Sequence, residues 1–122
     1  MTENPAENTD TAVYRAALDA LPDPVLIYTD THVVYANRAA CSMLGGSEAL
    51  LLRGMRVEDF ILPDLAEVNN ARRAYVIDQG VELRDLTVKI RGLDGVPVVF
   101  HVDIRPISFD GTTAAMATLA HR

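Results

Sequence analysis

The sequence predicts an α+β fold in which helices cover one face of a five-stranded antiparallel sheet, with an N-terminal amphipathic helix ahead of the sheet. Apolar and polar side chains alternate through 82–92 and 96–107, as in antiparallel strands with one buried face. Two short β-branched runs, 25–29 and 33–36, flank a polar turn, and a last strand is expected at 112–120. The links between these strands are too short for the crossovers of a parallel sheet.

The composition is that of one acidic domain. The chain has 122 residues, a common size for a single domain, and 49% of them are hydrophobic. A net charge of -6 disfavours direct binding to nucleic acid or to an anionic membrane surface, and no apolar run is long enough to span a bilayer. The single cysteine, Cys41, excludes an internal disulfide and a multi-cysteine zinc site. We therefore expect a cytoplasmic protein.

Three segments are predicted along the chain. Residues 1–9 form a flexible acidic tail, 10–21 form an N-terminal flanking helix, and 22–122 form the main domain. Prolines directly after the flanking helix stop it. Its apolar stripe consists of Val13, Ala17 and Leu21.

Asn37 predicts the start of a second helix, because its short side chain can accept hydrogen bonds from amides of the first turn. This helix, 38–44, is expected to end at Gly45, where a left-handed residue is tolerated. Two further short elements are predicted at 47–52 and 57–61.

A longer helix is predicted at 63–79. Pro63 suits the first helical position, and Gly80 would end the helix. Apolar residues recur along it at helical spacing, at Leu65, Val68, Ala71 and Tyr75. We expect this stripe to face the sheet.

The turn between the two long strands determines which residues lie opposite each other. A loop at 93–95, whose last residue is a left-handed glycine, keeps the apolar faces in register but sets Asp85 opposite Asp103. A loop at 92–94 would instead pair Asp85 with His101 and remove that glycine from the turn. We prefer the first arrangement. A second tight turn is predicted at the Asp-Gly pair before the last strand.

Five stretches of the sequence resemble, in the same order, those of a PAS domain. They are "LDALPDPVLIYTDTHVVYANRAACSMLG", "SEALLLRGM", "FILPDLAEV", "KIRGLDGVPVVFHVDIRPI" and "FDGTTAAMATLA". The resemblance implies a sensory or interaction module that holds a small ligand between its sheet and its helices. It also implies an effector outside this chain, such as a kinase, a cyclase or a DNA-binding unit.

The resemblance also bears on cofactors. Flavin photoreceptors of this family have a reactive cysteine in a region that corresponds to 54–62 here, which has none, and Cys41 lies earlier. Haem members bind iron through a histidine on the long helix, and 63–79 contains none. His101 and Asp103 share a strand face, but two ligands are too few for a metal site. The sequence therefore disfavours haem, cysteinyl flavin and metal, and leaves the cofactor undetermined.

The residues predicted to line a ligand pocket come from the long helix, the segment before it and the apolar faces of the strands. They are Met55, Phe60, Leu65, Val68, Arg72, Tyr75, Val88, Ile90, Phe100, Val102 and Met116. Such a pocket could hold an apolar ligand of about 300 Å3, but a filled core explains the same residues equally well. Arg72 is either the partner of an acidic ligand or a solvated side chain with a buried stem.

Sequence motifs of the common enzyme classes are absent: the chain has no nucleophile elbow, P-loop, H-E-x-x-H or dinucleotide fingerprint. We therefore expect a non-catalytic module, and two functions stay open: a ligand sensor and a ligand-free homodimerisation module. In both, a homodimer is expected to form through the first helix and the outer face of the sheet. The residues predicted for this interface are Val13, Ala17, Leu21, Val99, Ala115 and Ala117.

Overall fold

The computed structural model describes residues 13, 15–45, 55–56, 59, 62, 65–91, 95–109 and 111–120. Two predicted segments, the tail at 1–9 and the short helix at 47–52, lie outside these residues. Most of the predicted element at 57–61 lies outside them too, including Phe60.

The described residues form three helices and a five-stranded sheet. The helices are α1 (15–20), α2 (Arg38–Leu44) and α3 (Ala66–Gln79), and the strands are β1 (Val25–Tyr28), β2 (Val33–Ala36), β3 (Leu83–Arg91), β4 (Pro97–Phe109) and β5 (Thr112–Ala120). The strands lie in the order β2-β1-β5-β4-β3, and every neighbouring pair is antiparallel. The predicted α+β fold with one five-stranded antiparallel sheet is confirmed.

The helix ends follow the predicted capping residues, with one exception. Asn37 is the N-cap of α2, and Gly45 ends that helix in the left-handed conformation with φ 85°. Gly80 ends α3 in the same way with φ 66°. However, α3 begins at Ala66 and not at residue 63, because a turn closed by a backbone hydrogen bond of 2.9 Å precedes it.

The orientation of α3 also differs from the prediction. Val76 is fully buried, and Arg73 is buried beside it, whereas Val68 and Tyr75 are 51% and 50% exposed. Ala71 is exposed as well. Consecutive helical residues differ by about 100° in direction, so the buried stripe lies one residue away from the expected one. The helix has apolar residues on both stripes, and only the position of the sheet decides which of them is covered.

The hairpin between β3 and β4 has the preferred register. Val88 lies opposite Phe100, as the three-residue loop requires, and Gly95 has a left-handed φ of 83°. The two-residue turn before β5 is also confirmed, since Phe109 pairs with Thr112 and Gly111 has a φ of 76°.

A β-bulge removes the predicted opposition of two carboxylates in this hairpin. The pairing shifts between Leu83 and Leu86, and Asp85 adopts a positive φ of 55°. The Asp85 amide then donates a hydrogen bond of 2.8 Å to Oδ1 of Asp103. The Asp85 carboxylate lies 3.4 Å from Nδ1 of His101, so its side chain is turned towards the histidine of the alternative register.

The sheet separates two apolar clusters. On one face, called the inner face here, a large core packs against α2 and α3, and Phe100, Leu44 and Leu119 are among its fully buried side chains. On the other face, called the outer face, a smaller cluster around Ile27 includes Leu18 of α1. The N-terminal helix therefore covers part of the outer face of its own sheet.

The prediction for the two faces of β5 was wrong. The two-residue turn pairs Phe109 with Thr112, which places Ala115 and Ala117 in the inner core. Met116 lies on the outer face instead. The strand sequence is mostly alanine and threonine, so it lacks the alternation in hydrophobicity that identifies the buried face of a strand.

Candidate functional site

A cavity of about 40 Å3 lies between α3 and the inner face of the sheet. All five strands contribute apolar side chains to its wall, among them Val88, Ile90 and Val102 of the predicted pocket, and α3 contributes Asn69. The cavity is much smaller than the expected volume of about 300 Å3.

Tyr28 is the second polar group in the cavity wall. Its side chain is 6% exposed, and burial raises its pKa to about 12, while the nearby positive charge of Arg73 acts to lower it.

The other predicted pocket residues lie in three different places. Phe100 is buried within the inner core, and Met55 and Leu65 pack against that core, without lining the cavity. Met116 lies on the opposite face of the sheet. The remaining three, Val68, Arg72 and Tyr75, line a groove on the surface.

The surface groove runs between α3 and β3 and has a volume of about 640 Å3. Leu83 and Leu86 form its floor on the β3 side. Arg72 and Tyr75 therefore border solvent and not the interior. Arg72 does not line the cavity beneath α3, so it is not placed to pair with an acidic ligand enclosed there.

Sequence patterns did not identify Tyr28 and Asn69 as cavity residues. Tyr28 and Ile27 point to opposite faces of β1. This four-residue strand is buried on both faces, so its amino-acid composition does not show which face borders the cavity. Asn69 is a polar residue in a helix whose buried stripe was assigned one position away. The sequence therefore contained no local signal that would have identified either residue.

Asn37 connects four segments of backbone. Its Oδ1 accepts hydrogen bonds from the amides of Val25 and Ala40, both at 2.9 Å. Its Nδ2 donates to the carbonyl oxygens of Leu18 at 2.8 Å and Asp23 at 3.0 Å. The fully buried side chain therefore caps α2, as predicted, and also joins β1 to the end of α1.

A second set of hydrogen bonds holds α1 on the outer face. The Tyr35 hydroxyl donates to Oδ1 of Asp19 at 2.9 Å, and the Arg38 amide donates to the same oxygen at 3.0 Å. Burial and the hydrogen bond to Asp19 raise the pKa of Tyr35 to about 12. The predicted apolar stripe of the flanking helix does not take part in these contacts and faces solvent: Val13 is 58% exposed, Leu21 is 45% exposed, and Ala17 is exposed.

The described residues contain no cluster of three or more histidine, cysteine, aspartate or glutamate side chains that could hold a metal ion. Cys41 is buried in α2, and burial, with a smaller effect of the Asp19 charge, raises its pKa. Its sulfur is therefore a neutral thiol at pH 7, which is a poor nucleophile. Across the described ranges, no helix has the length and hydrophobicity needed to cross a membrane.

Comparisons with known proteins agree with this architecture. A family model described as "PAS domain" matches residues 12–81. Sporulation kinase A of Bacillus subtilis is 26% identical over 106 residues, which are 87% of this chain and 17% of the kinase. The chain thus spans about a sixth of the length of this curated relative.

Solved structures show the same fold. The PAS domain of nitrogen regulation protein NR(II) from Vibrio parahaemolyticus has a TM-score of 0.72 and 21% identity, over 90% of this chain and 98% of that one. A domain of the sensory box sensor histidine kinase/response regulator from Geobacter sulfurreducens has a TM-score of 0.71 and 19% identity, over 99% and 100%. The matches support a general role in signal sensing. The chain belongs to the PAS domain family.

Proposed function

We propose that this domain senses a small molecule in the cavity between α3 and the inner face of the sheet. The observation that supports this proposal is the cavity itself, in whose aliphatic wall the buried side chain of Tyr28 carries a hydroxyl. In a cavity that served only as a filled core, an apolar side chain at this position would avoid the cost of burying that hydroxyl.

The hydrogen bonds of Asn37 supply a route from the cavity to α1. Tyr28 lies on β1, whose first amide, that of Val25, donates to Asn37. Asn37 in turn donates to the carbonyl of Leu18 in α1. A guest that shifts β1 therefore shifts the position of α1, which we propose as the output element.

The effector in this proposal lies outside the chain. We propose a cytoplasmic signalling protein in which 1–9 is a tail, 10–21 is a flanking helix and 22–122 is the sensory domain, joined to a kinase, a cyclase or a DNA-binding unit. The match to a segment that is 17% of Sporulation kinase A supports a kinase among these three. The typical non-catalytic role of PAS domains supports the expectation that this chain is not itself an enzyme.

Native mass spectrometry of the chain as purified tests the proposed function. A mass excess that disappears on denaturation is expected, and it gives the mass of the ligand. A protein without mass excess, whose melting temperature also stays constant across a panel of small metabolites, would falsify the sensor function. The same spectrum reports the oligomeric state.

The second candidate function is a homodimerisation module without a ligand. The exposed stripe of Val13, Ala17 and Leu21 supports it, together with Val99, which is 47% exposed on the outer face. Ala115 and Ala117 cannot contribute, because both are buried in the inner core. The revised interface therefore consists of α1 and the outer face of β4.

Single substitutions on α1 test this interface by gel filtration. We expect a dimer at micromolar concentration that Val13→Asp or Leu21→Asp converts to a monomer, because a charge would then be buried at the contact. Ala74→Asp is the matched control, since Ala74 is exposed on α3, outside the proposed interface. A wild-type monomer, or a dimer that both stripe variants leave intact, rules this interface out.

A further inference from the structure

The strand β3 forms one edge of the sheet, and among the described residues it pairs with β4 alone. Its ladder with β4 is regular over 86–91, beyond the bulge at Asp85. An edge strand presents unpaired N–H and C=O groups at alternate residues, and an extended chain can pair with them. The segment 86–91, called the β3 edge here, is about 20 Å long, which is enough to bind a peptide of about six residues.

The surface groove between α3 and β3 borders this edge. Its apolar surface comes from Val68 and Tyr75 of α3, which are about half exposed, and from Leu83 and Leu86 of β3. Its charged residues are one arginine and one aspartate of α3, whose charges have opposite signs. Side chains of an added strand would alternate between the two faces of the sheet, so every second one would enter this groove. The groove therefore favours apolar side chains at alternate positions of the peptide.

The other side of the β3 edge carries positive charge. Lys89 and Arg91 lie on the outer face, and the β4 residues opposite them are Val99 and Pro97, which are uncharged. The β3 edge contains no acidic residue, although the chain has a net charge of -6. Opposite charges on directly opposed residues of neighbouring strands are favourable. Acidic side chains on an added strand would therefore give both cations the cross-strand partners that β4 does not supply.

We propose that the β3 edge binds an extended peptide segment of a partner protein in which apolar and acidic side chains alternate. The segment adds a strand to the sheet, with its apolar side chains in the groove and its acidic side chains beside Lys89 and Arg91. A second copy of this chain fits less well, because antiparallel pairing of two β3 strands would set these cations opposite each other or opposite the bulged segment 83–85. This binding requires no ligand in the interior cavity.

The probe for this surface is a fluorescent peptide in which valine and glutamate alternate. One control peptide has lysine in place of glutamate, and another has the same composition with the valines and glutamates in separate blocks. Fluorescence anisotropy measures the dissociation constant of each peptide with the full chain. We expect saturable binding of the alternating acidic peptide, at least about fivefold tighter than that of either control. Hydrogen exchange should become slower at alternate amides of 86–91, because the added strand binds them.

Two pairs of variants test the two sides of the β3 edge. Lys89→Glu combined with Arg91→Glu should weaken binding of the acidic peptide at least about fivefold and strengthen binding of the lysine peptide. Arg38→Glu is the matched control, since Arg38 is exposed on α2, which packs against β1 and β2. In the groove, Val68→Lys should weaken binding about fivefold by removing an apolar contact. Asn70→Lys, exposed on the same helix outside the groove, should leave binding unchanged.

Four results overturn this inference. The first is the absence of saturable binding of the acidic peptide, and the second is equal binding of either control peptide. The third is binding that the paired charge variants leave unchanged, with slower exchange confined to α1 and β4. The fourth is a wild-type dimer that Lys89→Glu dissociates, which would assign the β3 edge to a second copy of the chain. Native mass spectrometry without a mass excess would remove the sensor function and leave the β3 edge as a peptide-binding surface.

Discussion

The backbone amide of Asp85 donates a hydrogen bond of 2.8 Å to the carboxylate of Asp103 on the neighbouring strand. The hairpin register would otherwise set these two carboxylates side by side, which is unfavourable. A bulge at Asp85, with φ 55°, turns its backbone amide towards Asp103 and its side chain towards His101. Aspartate tolerates this left-handed conformation better than most residues.

Removing the acceptor of this hydrogen bond is expected to weaken the hairpin. Asp103→Ala should lower the free energy of unfolding by about 1 kcal/mol, because the bond is partly accessible to water. Asp103→Asn retains an oxygen acceptor and is the control. Urea denaturation measures both variants, and an equal loss in both would show that the charge of Asp103, and not its hydrogen bond, stabilises the bulge.

Asn37→Ala is expected to destabilise the domain by at least about 2 kcal/mol. It removes an N-cap, typically worth about 1 kcal/mol, and also leaves two carbonyl oxygens and the Val25 amide without their partner in a buried site. Asn70→Ala, at an exposed position of α3, should change stability by less than about 0.5 kcal/mol. Chemical denaturation compares the two variants, and similar values would contradict the central role of Asn37.

Asn37→Asp separates the two halves of this hydrogen-bond set. An aspartate keeps the oxygen that accepts from Val25 and Ala40, but it cannot donate to Leu18 and Asp23. We expect faster hydrogen exchange at 15–20 in α1, while α2 stays protected. Equal exchange in both helices would show that Asn37 does not hold α1 separately from α2.

Two valines of α3 test which side of this helix packs against the sheet. Val76→Ala should cost about 2 kcal/mol of stability, since it removes fully buried methyl groups and leaves a void. Val68→Ala, half exposed at the groove, should cost less than about 1 kcal/mol. Thermal or urea unfolding gives both values, and the reverse order would mean that α3 packs through the stripe expected from the sequence.

Alkaline pH is expected to destabilise the domain through Tyr28 and Tyr35. Both have a pKa near 12 in the folded state, above the usual value of 10.0. Their stabilising contribution is complete below pH 10 and is lost as the pH rises towards 12, because the unfolded chain ionises first. For the buried Tyr28, a shift of this size corresponds to on the order of 3 kcal/mol.

Phenylalanine variants identify the tyrosines responsible. Tyr28→Phe and Tyr35→Phe should each flatten the decline in stability between pH 10 and 12, measured by urea denaturation at fixed temperature. Below pH 9, Tyr35→Phe should be less stable than the wild-type chain, because it loses the hydrogen bond to Asp19. A decline that neither variant alters would assign the alkaline transition to other groups.

Local features of the sequence were enough to predict most of the fold. Asn37 and Gly45 cap α2 through side-chain and backbone chemistry that depends on adjacent residues alone. The register of the long hairpin followed from the alternation of its strands and the length of its loop. These properties act over a few residues, so they are visible in the sequence.

The tertiary structure decided which faces are covered and how much space is left between them. Alanine-rich β5 has no alternation, and α3 has two apolar stripes, so neither sequence reveals its buried side. Tyr28 of β1 and Asn69 of α3 line the same cavity, although the two residues are far apart in sequence. Packing depends on the summed volumes of side chains from every element, and no single segment contains that information.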